Sequence, residues 1–264
     1  MTGARRLVPL AFVAAGACTT ALKEPPPISQ LAPAGTRASS GKALLEEAEA
    51  EYAKRPDASA VRKADGLCLE AAQVDGADAA GLICSIRAKA WLVEHAARGP
   101  EKTDIAVSAV QVGQWCLRRE PDSAACRYWL AVALGMQARE KPRTADDAIG
   151  RIVKLLREAS AAAPELDEAG PERILALLYL RAPGWPLGPG DADEALVWAQ
   201  KAVQLKPDYP PNQLALGEAF ERTSHPVGGR GAYQRALELA EEAARGGDPD
   251  APGWVKEAQA RLKE

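Results

Sequence analysis

Residues 195–212 read Ala-Leu-Val-Trp-Ala-Gln-Lys-Ala-Val-Gln-Leu-Lys-Pro-Asp-Tyr-Pro-Pro-Asn. Counting back from Pro207, small or apolar residues stand at Val203, Ala202, Ala199 and Ala195. These positions keep one stripe of a helix with 3.6 residues per turn. The same offsets from Pro121 give Leu117, Cys116, Gly113 and Ala109, and from Pro164 they give Ser160, Ala159, Leu156 and Ile152. The three prolines are spaced by 43 and 43 residues. Proline cannot continue a helix, so each closes a helix whose narrow stripe permits close packing. A second helix follows each turn, carrying Leu216, Gly217 and Phe220 after Pro207 and Leu130, Ala131 and Leu134 after Pro121. After Pro164 the counterparts Leu175, Ala176 and Tyr179 are displaced by two residues, which a longer turn ending in Gly170-Pro171 accounts for.

The composition agrees. The 264 residues are 47% hydrophobic and 26% charged, enough apolar surface for a folded core. Aromatic residues make up only 5%, so an all-β sandwich or barrel is disfavoured. Beyond the N-terminus no apolar run is long enough for a membrane span. A net charge of −3 provides no electrostatic footprint for DNA or RNA, so no nucleic-acid partner is expected.

Two-helix units with a fixed period resemble tetratricopeptide repeats. That family pairs a helix carrying Leu-small-x-x-aromatic with a small-residue helix and a proline turn; its period is 34. The resemblance covers roughly residues 77–249. It implies an all-α, right-handed superhelical stack of antiparallel helix pairs, an α-solenoid of 10–11 helices. The longer period here predicts long loops near 97–103, 139–144, 181–191 and 223–230. A degenerate helical pair is expected over 40–75, and a capping helix near 252–262. Each pair exposes an apolar face that only a stacked neighbour covers.

Residues 1–17 read as a leader. Arg5 and Arg6 precede an apolar run from Leu7 to Ala17, and small residues lead into Cys18. The pattern resembles a bacterial lipoprotein signal peptide, which implies that Cys18 is lipidated and becomes the mature N-terminus. Multiple acyl chains make such an anchor stable. Thr19 in place of Asp favours the periplasmic side of the outer membrane. Removing Arg5 and Arg6 leaves a net charge of −5. Residues 18–38, with Pro25, Pro26, Pro27 and Pro33, read as an extended tether spanning about 60 Å at about 3.1 Å per residue. The repeat domain then covers 39–264.

Four further cysteines remain, and export permits disulfides. Pro121 lies midway between Cys116 and Cys126, and Gly76 midway between Cys68 and Cys84. A tight turn at each midpoint sets the two cysteines at equal height on neighbouring helices, close enough to pair. Four buried thiols acting as small apolar residues are the alternative.

No nucleotide, hydrolase or zinc motif is present, so no enzyme and no cofactor or metal is expected. Asp191 with Glu194, and Thr144 with Asp147, read as helix starts with capping. His95, near a helix end, and His225, in a turn, need no function. Trp91, Trp115, Trp129 and Trp198 fall within helices as core residues, and Trp254 is expected to pack the capping helix on. Trp185 stands in Ala-Pro-Gly-Trp-Pro-Leu-Gly-Pro-Gly, the longest Pro/Gly loop. An aromatic held between prolines costs little entropy to present, which makes it the candidate partner-binding residue; folding back over its own loop is the alternative.

From residue 173 the chain runs Arg-Ile-Leu-Ala-Leu-Leu-Tyr-Leu-Arg-Ala-Pro-Gly-Trp-Pro-Leu-Gly-Pro-Gly-Asp. Ala182, Pro183, Pro186, Gly190, Asp191, Pro207 and Asn212, with the stretch Tyr128–Gly135, resemble the lipoprotein T-component of tripartite solute transporters. That resemblance implies a periplasmic lipoprotein engaging a solute-binding protein or a hydrophobic ligand. The expected function is therefore a membrane-anchored periplasmic scaffold binding envelope proteins, as an accessory to a solute transporter. An apolar-ligand or lipid carrier is one alternative. An assembly lipoprotein for outer-membrane proteins or pili is another.

Overall fold

The computed structural model describes residues 20–31, 40–74 and 79–263. The leader at 1–17, Cys18, Thr19, the boundary at Ser39 and the turn at Gly76 lie outside the described residues.

Among the described residues the chain forms eleven α-helices and no strand beyond a single bridge. They are α1 (Gly41–Tyr52), α2 (Ala58–Val74), α3 (Ala80–His95), α4 (Pro100–Arg119), α5 (Ala124–Glu140), α6 (Ala145–Ala162), α7 (Gly170–Arg181), α8 (Ala192–Leu205), α9 (Pro210–Arg222), α10 (Pro226–Arg245) and α11 (Ala251–Arg261). The architecture is the expected all-α stack of antiparallel pairs, each helix packing on the next in sequence.

Local chemistry starts the helices. Ser40 and Ser123 accept backbone N–H groups with their hydroxyls, and Asp191 Oδ1 accepts those of Asp193 and Glu194, both at 3.0 Å. Proline occupies the first turn of α4, α7, α9 and α10, where its missing N–H costs nothing. Two expected capping boxes are corrected. Glu194 does not return a bond to the cap; its carboxylate takes Trp198 Nε1–H at 2.9 Å and an Arg157 N–H at 3.2 Å. Thr144 Oγ1 donates to the Lys141 carbonyl, and Asp147 accepts the N–H of Ala21 at 2.9 Å.

The small-residue stripes lie where helices touch. Ala109, Cys116, Ala159, Ala195, Ala199 and Ala202 are all fully buried. A Cβ on Gly217 would lie 2.4 Å from the ring of Tyr233 on α10, so only glycine permits that crossing.

The source of the 43-residue period differs from expectation. Of the four loops expected to be long, 182–191 alone is; α4, α6 and α10 are long helices that absorb the other extra residues. Gly228 to Gly231 are accordingly helical, within α10. The 182–191 loop has a closed neck: Gly190 N–H donates to Pro183 at 2.8 Å and Asp191 N–H to Tyr179 at 3.0 Å. A Cβ on Gly190 would lie 2.2 Å from the Ala182 carbonyl, which explains that glycine.

The displaced turn before α7 contains three consecutive left-handed residues: Asp167, Glu168 and Ala169, with φ of 50°, 55° and 60°. Left-handed backbone disfavours residues with a Cβ. Buried Arg173 holds the turn, donating to the carbonyls of Asp167 and Glu168 and to the Asp167 carboxylate. Tyr128 donates its hydroxyl to the same carboxylate. Asn212 ties the turn to α9: its amide donates to the carbonyls of Glu168 and Lys206, both at 3.0 Å, and its Oδ1 accepts from Arg173 at 3.0 Å.

Two long-range features change the shape. Arg55, between α1 and α2, meets Asp250, before α11, with Nη2 3.1 Å from Oδ2. Trp91 Nε1–H donates to the same carboxylate at 3.2 Å. The array thus bends until its first helices touch its last. Residues 20–31, expected as extended free tether, instead lie along the array. Ala21 and Pro25 are buried, Trp115 Nε1–H donates to the Pro26 carbonyl at 2.8 Å, and Arg118 pairs with Glu24 at 2.6 Å.

Candidate functional site

Among helices two apart, α1, α3, α5, α7, α9 and α11 each contact the next odd-numbered helix. They form a continuous inner layer, and the even-numbered helices back it. A groove of about 640 Å³ runs along that layer. Its walls come from α3, α5, α6, α7, α9 and α11, from Glu94 to Glu257.

The floor is apolar, with Val132, Met136, Ile149, Ile174, Leu177 and Leu214. Gly135 opens the floor: it is exposed, and a Cβ built on it meets nothing within 4 Å. Met136 adds an unbranched, polarizable side chain that adapts to different shapes. At one end stands Trp254, edge-on to Tyr209 with ring centroids 5.5 Å apart. The rim is charged but internally paired. Arg139 meets Glu94 at 2.7 Å, and Glu218 takes Arg181 at 3.1 Å and Arg261 at 3.8 Å. Such exposed pairs add about 0.2–1 kcal/mol each and exchange readily for a partner's charges.

Beneath the floor, Arg173 stacks over the Tyr209 ring at 5.0 Å. Burial pushes the Tyr209 phenol up to about 12, although the nearby Arg173 cation acts the other way. The Asp250 contacts with Arg55 and Trp91 bring α3 to the start of α11, which frames the groove from the side. His95 stacks on Trp91 at 3.9 Å and is part of that frame.

The cysteines and tryptophans occupy other places. Cys68 and Cys84 are bonded with Cα atoms 5.6 Å apart, and Cys116 and Cys126 with Cα atoms 5.4 Å apart. These bonds link α2 to α3 and α4 to α5, outside the groove. Trp185 is 90% exposed on the 182–191 loop and is not brought to the groove. Leu187 beside it and Val227, after α9, are also exposed. Trp185 and Leu187 follow α7, and Val227 stands in the first turn of α10 just after α9, so all three lie where inner helices end, at one edge of the stack. Trp91 and Trp129 are buried, and Trp115 and Trp198 are partly so.

Val132, Gly135, Ile174 and Leu177 lie within the stretches that resemble the T-component, but no floor residue was singled out for binding. One signal was available: α5 and α7 are apolar around most of their circumference. A helix needs one stripe to pack, and a second stripe implies a second surface. Among the described residues, no three metal-ligating side chains gather and no helix is long and apolar enough to cross a membrane.

The geometry defines a class, the helical-repeat protein with a ligand-sized inner groove. Solved structures of the same architecture are similar to this chain. A thermophilic TPR protein of Thermus thermophilus, TTC0263, superposes with a TM-score of 0.62 at 19% identity, over 84% of this chain and 100% of that one. MamA of Desulfovibrio magneticus superposes with a TM-score of 0.49 at 19% identity, over 76% of this chain and 96% of its own. The first of these shows the fold and only the fold. No protein-family profile matches the sequence, and no curated protein is similar to it.

Proposed function

We propose that this chain is a protein-binding scaffold whose inner groove receives a segment of another protein. The carrying observation is the open apolar floor around Gly135 between paired, exposed charges. Apolar anchors on one face of a partner segment fit the floor, and its flanking charges compete for the rim. The groove follows several helices rather than closing into a sphere, which suits a segment better than a compact solute. Trp185 and Leu187 supply a second, separate contact at the stack's edge.

The leader reading places this scaffold on the periplasmic side of the outer membrane, anchored through Cys18. Partners are then envelope proteins, and the T-component resemblance favours a solute-binding protein of a transporter. An apolar small ligand is the second reading, because about 640 Å³ lies within the usual 300–1,000 Å³ range for ligand sites.

Gly135→Trp tests the groove directly. The new side chain enters open space, and tryptophan is a better helix former than glycine by a few tenths of a kcal/mol. The variant is expected to fold as well as wild type and to lose capture of envelope partners after mild crosslinking of membranes. Trp185→Ala is expected to weaken capture without abolishing it. Unchanged capture by Gly135→Trp refutes the groove reading. Mass spectrometry of organic extracts separates the second reading, which requires a discrete lipid released from wild type only.

A further inference from the structure

Of the described residues, the most exposed large apolar side chains are Trp185, Val227 and Leu187, at 90%, 87% and 82%. All three stand at the edge where inner helices end. The tip that carries Trp185 and Leu187 is a closed turn. Leu187 and Gly188 donate their N–H groups to the Gly184 carbonyl at 3.0 and 3.2 Å. A preformed turn presents its side chains without first being ordered.

Charge divides the loops in the same way. The open loops after inner helices, 96–99, 141–144, 182–191 and 223–225, carry Arg98, Lys141 and Arg143. Their one carboxylate, Asp191, caps α8. The last turns of α5, α7 and α9 bring Arg139, Arg181 and Arg222 to this edge, and the outer helices α4, α6 and α8 open on acids, as helix dipoles favour. The loop 53–57 belongs to this edge by position, but Arg55 is taken by Asp250. The described loops of the other edge, 120–123, 163–169, 206–209 and 246–250, hold eight acidic residues against Lys206. An array with this division turns its basic loops toward an anionic surface.

The N-terminal segment reaches the same edge. Thr20 and Lys23 line one cavity with Pro142 and Arg143, and Ala21 N–H donates to Asp147, in the first turn of α6, at 2.9 Å. From there the segment passes along α4 to Trp115, which holds the Pro26 carbonyl. Cys18 is two residues before Thr20. Under the leader reading, its acyl chains enter a bilayer at the edge that carries Trp185.

We propose that this edge seats on an anionic phospholipid bilayer, with Trp185, Leu187 and Val227 as the inserted tips. Indole rings favour the zone between headgroups and acyl chains. Three shallow tips and a few cations add to an anchor rather than replace one. The separate contact at Trp185 and Leu187 is then with lipid, and it holds the groove at a fixed attitude over the membrane. Loss of that attitude accounts for weaker capture by Trp185→Ala. The seat requires neither an occupied groove nor an acylated Cys18.

Tryptophan quenching by vesicles of brominated phosphatidylglycerol tests this on the full chain. Residues 1–19 hold no tryptophan, so quenching reports the array and not its leader. Quenching is expected, and Trp185→Phe should remove about half of it or more, since the other tryptophans stand within helices. Leu187→Glu places a charge at the inserting tip and should lower the quenching about threefold. That position is exposed, so the thermal midpoint should not change. Brominated phosphatidylcholine should quench less. Absence of quenching overturns the proposal and leaves the tips to a protein partner. Quenching that Trp185→Phe leaves unchanged overturns it too, because another face would then meet lipid. So does quenching that is equal in both lipids or insensitive to Leu187→Glu. The vesicles contain no other protein, so failure of the groove reading leaves this result untouched, and intact mass reads acylation of Cys18 separately.

Discussion

Asn212 is where one side chain decides the junction between neighbouring repeats. It is fully buried, and its amide holds the carbonyls of Glu168 and Lys206 while its oxygen accepts from Arg173. Replacement by alanine removes all of these bonds. Glu168 keeps Arg173 as a partner, so its carbonyl is not orphaned. The Lys206 carbonyl loses the Asn212 donor, at a cost of about 1–3 kcal/mol, and the bond from the Arg173 guanidinium is worth about 1.5–3 kcal/mol more. The three left-handed residues at 167–169 lose part of the frame that holds them against an intrinsic preference of about 1–2 kcal/mol each. Asn212→Ala is therefore expected to destabilise the protein by about 3–5 kcal/mol. Urea unfolding measures the total. Hydrogen exchange localises it, with early loss of protection expected over α7 and α9, since a repeat array need not unfold in one step. Arg173→Met belongs to the same network, so the double variant should cost less than the two single losses added together. A loss below about 1 kcal/mol for Asn212→Ala, or strict additivity with Arg173→Met, would refute this account.

Reduction of the Cys68–Cys84 and Cys116–Cys126 bonds, which close spans of 16 and 10 residues, should cost about 3 kcal/mol each by loop entropy, and intact mass before and after alkylation shows whether both were present. Alkaline pH should destabilise the fold through Tyr209. Its phenol is held protonated to about 12 in the folded chain, against about 10 when unfolded. The folded state then binds the extra proton between those values, so stability is present below pH 10 and falls as pH rises toward 12. Ultraviolet titration should find several late-titrating tyrosines, since burial also raises Tyr52, Tyr128 and Tyr233, and Tyr209→Phe should lower their number by one; no change in the late phase would contradict the burial argument.

The repeat was legible because it is local. Proline at a fixed interval and small residues at i, i+3 and i+4 act within one helix, and their burial followed. The paired cysteines were legible for the same reason, since equal distances from Pro121 place Cys116 and Cys126 level on adjacent helices. The caps expected of Thr144 and Glu194 lose to other partners: the Lys141 carbonyl three residues back takes the Thr144 hydroxyl, and Trp198 and Arg157 take Glu194. For Asp147 the winner was the N–H of Ala21, 126 residues away in sequence. The prolines of residues 20–31 suggested extension, and nothing in their composition says that Trp115 and Arg118 receive them.

Helix type, order and pairing are written in the chain, because period and punctuation act over a few residues. Curvature is not. Whether the stack runs straight or bends until Asp250 reaches Arg55 and Trp91 depends on small rotations summed over eleven helices. That bend gathers α3 and α11 onto one groove and decides which apolar stripe faces a neighbour and which stays open. Trp185 was conspicuous in the sequence because its surroundings are contiguous. The floor around Gly135 was hidden because its residues come from four helices, and only their packing makes them one surface.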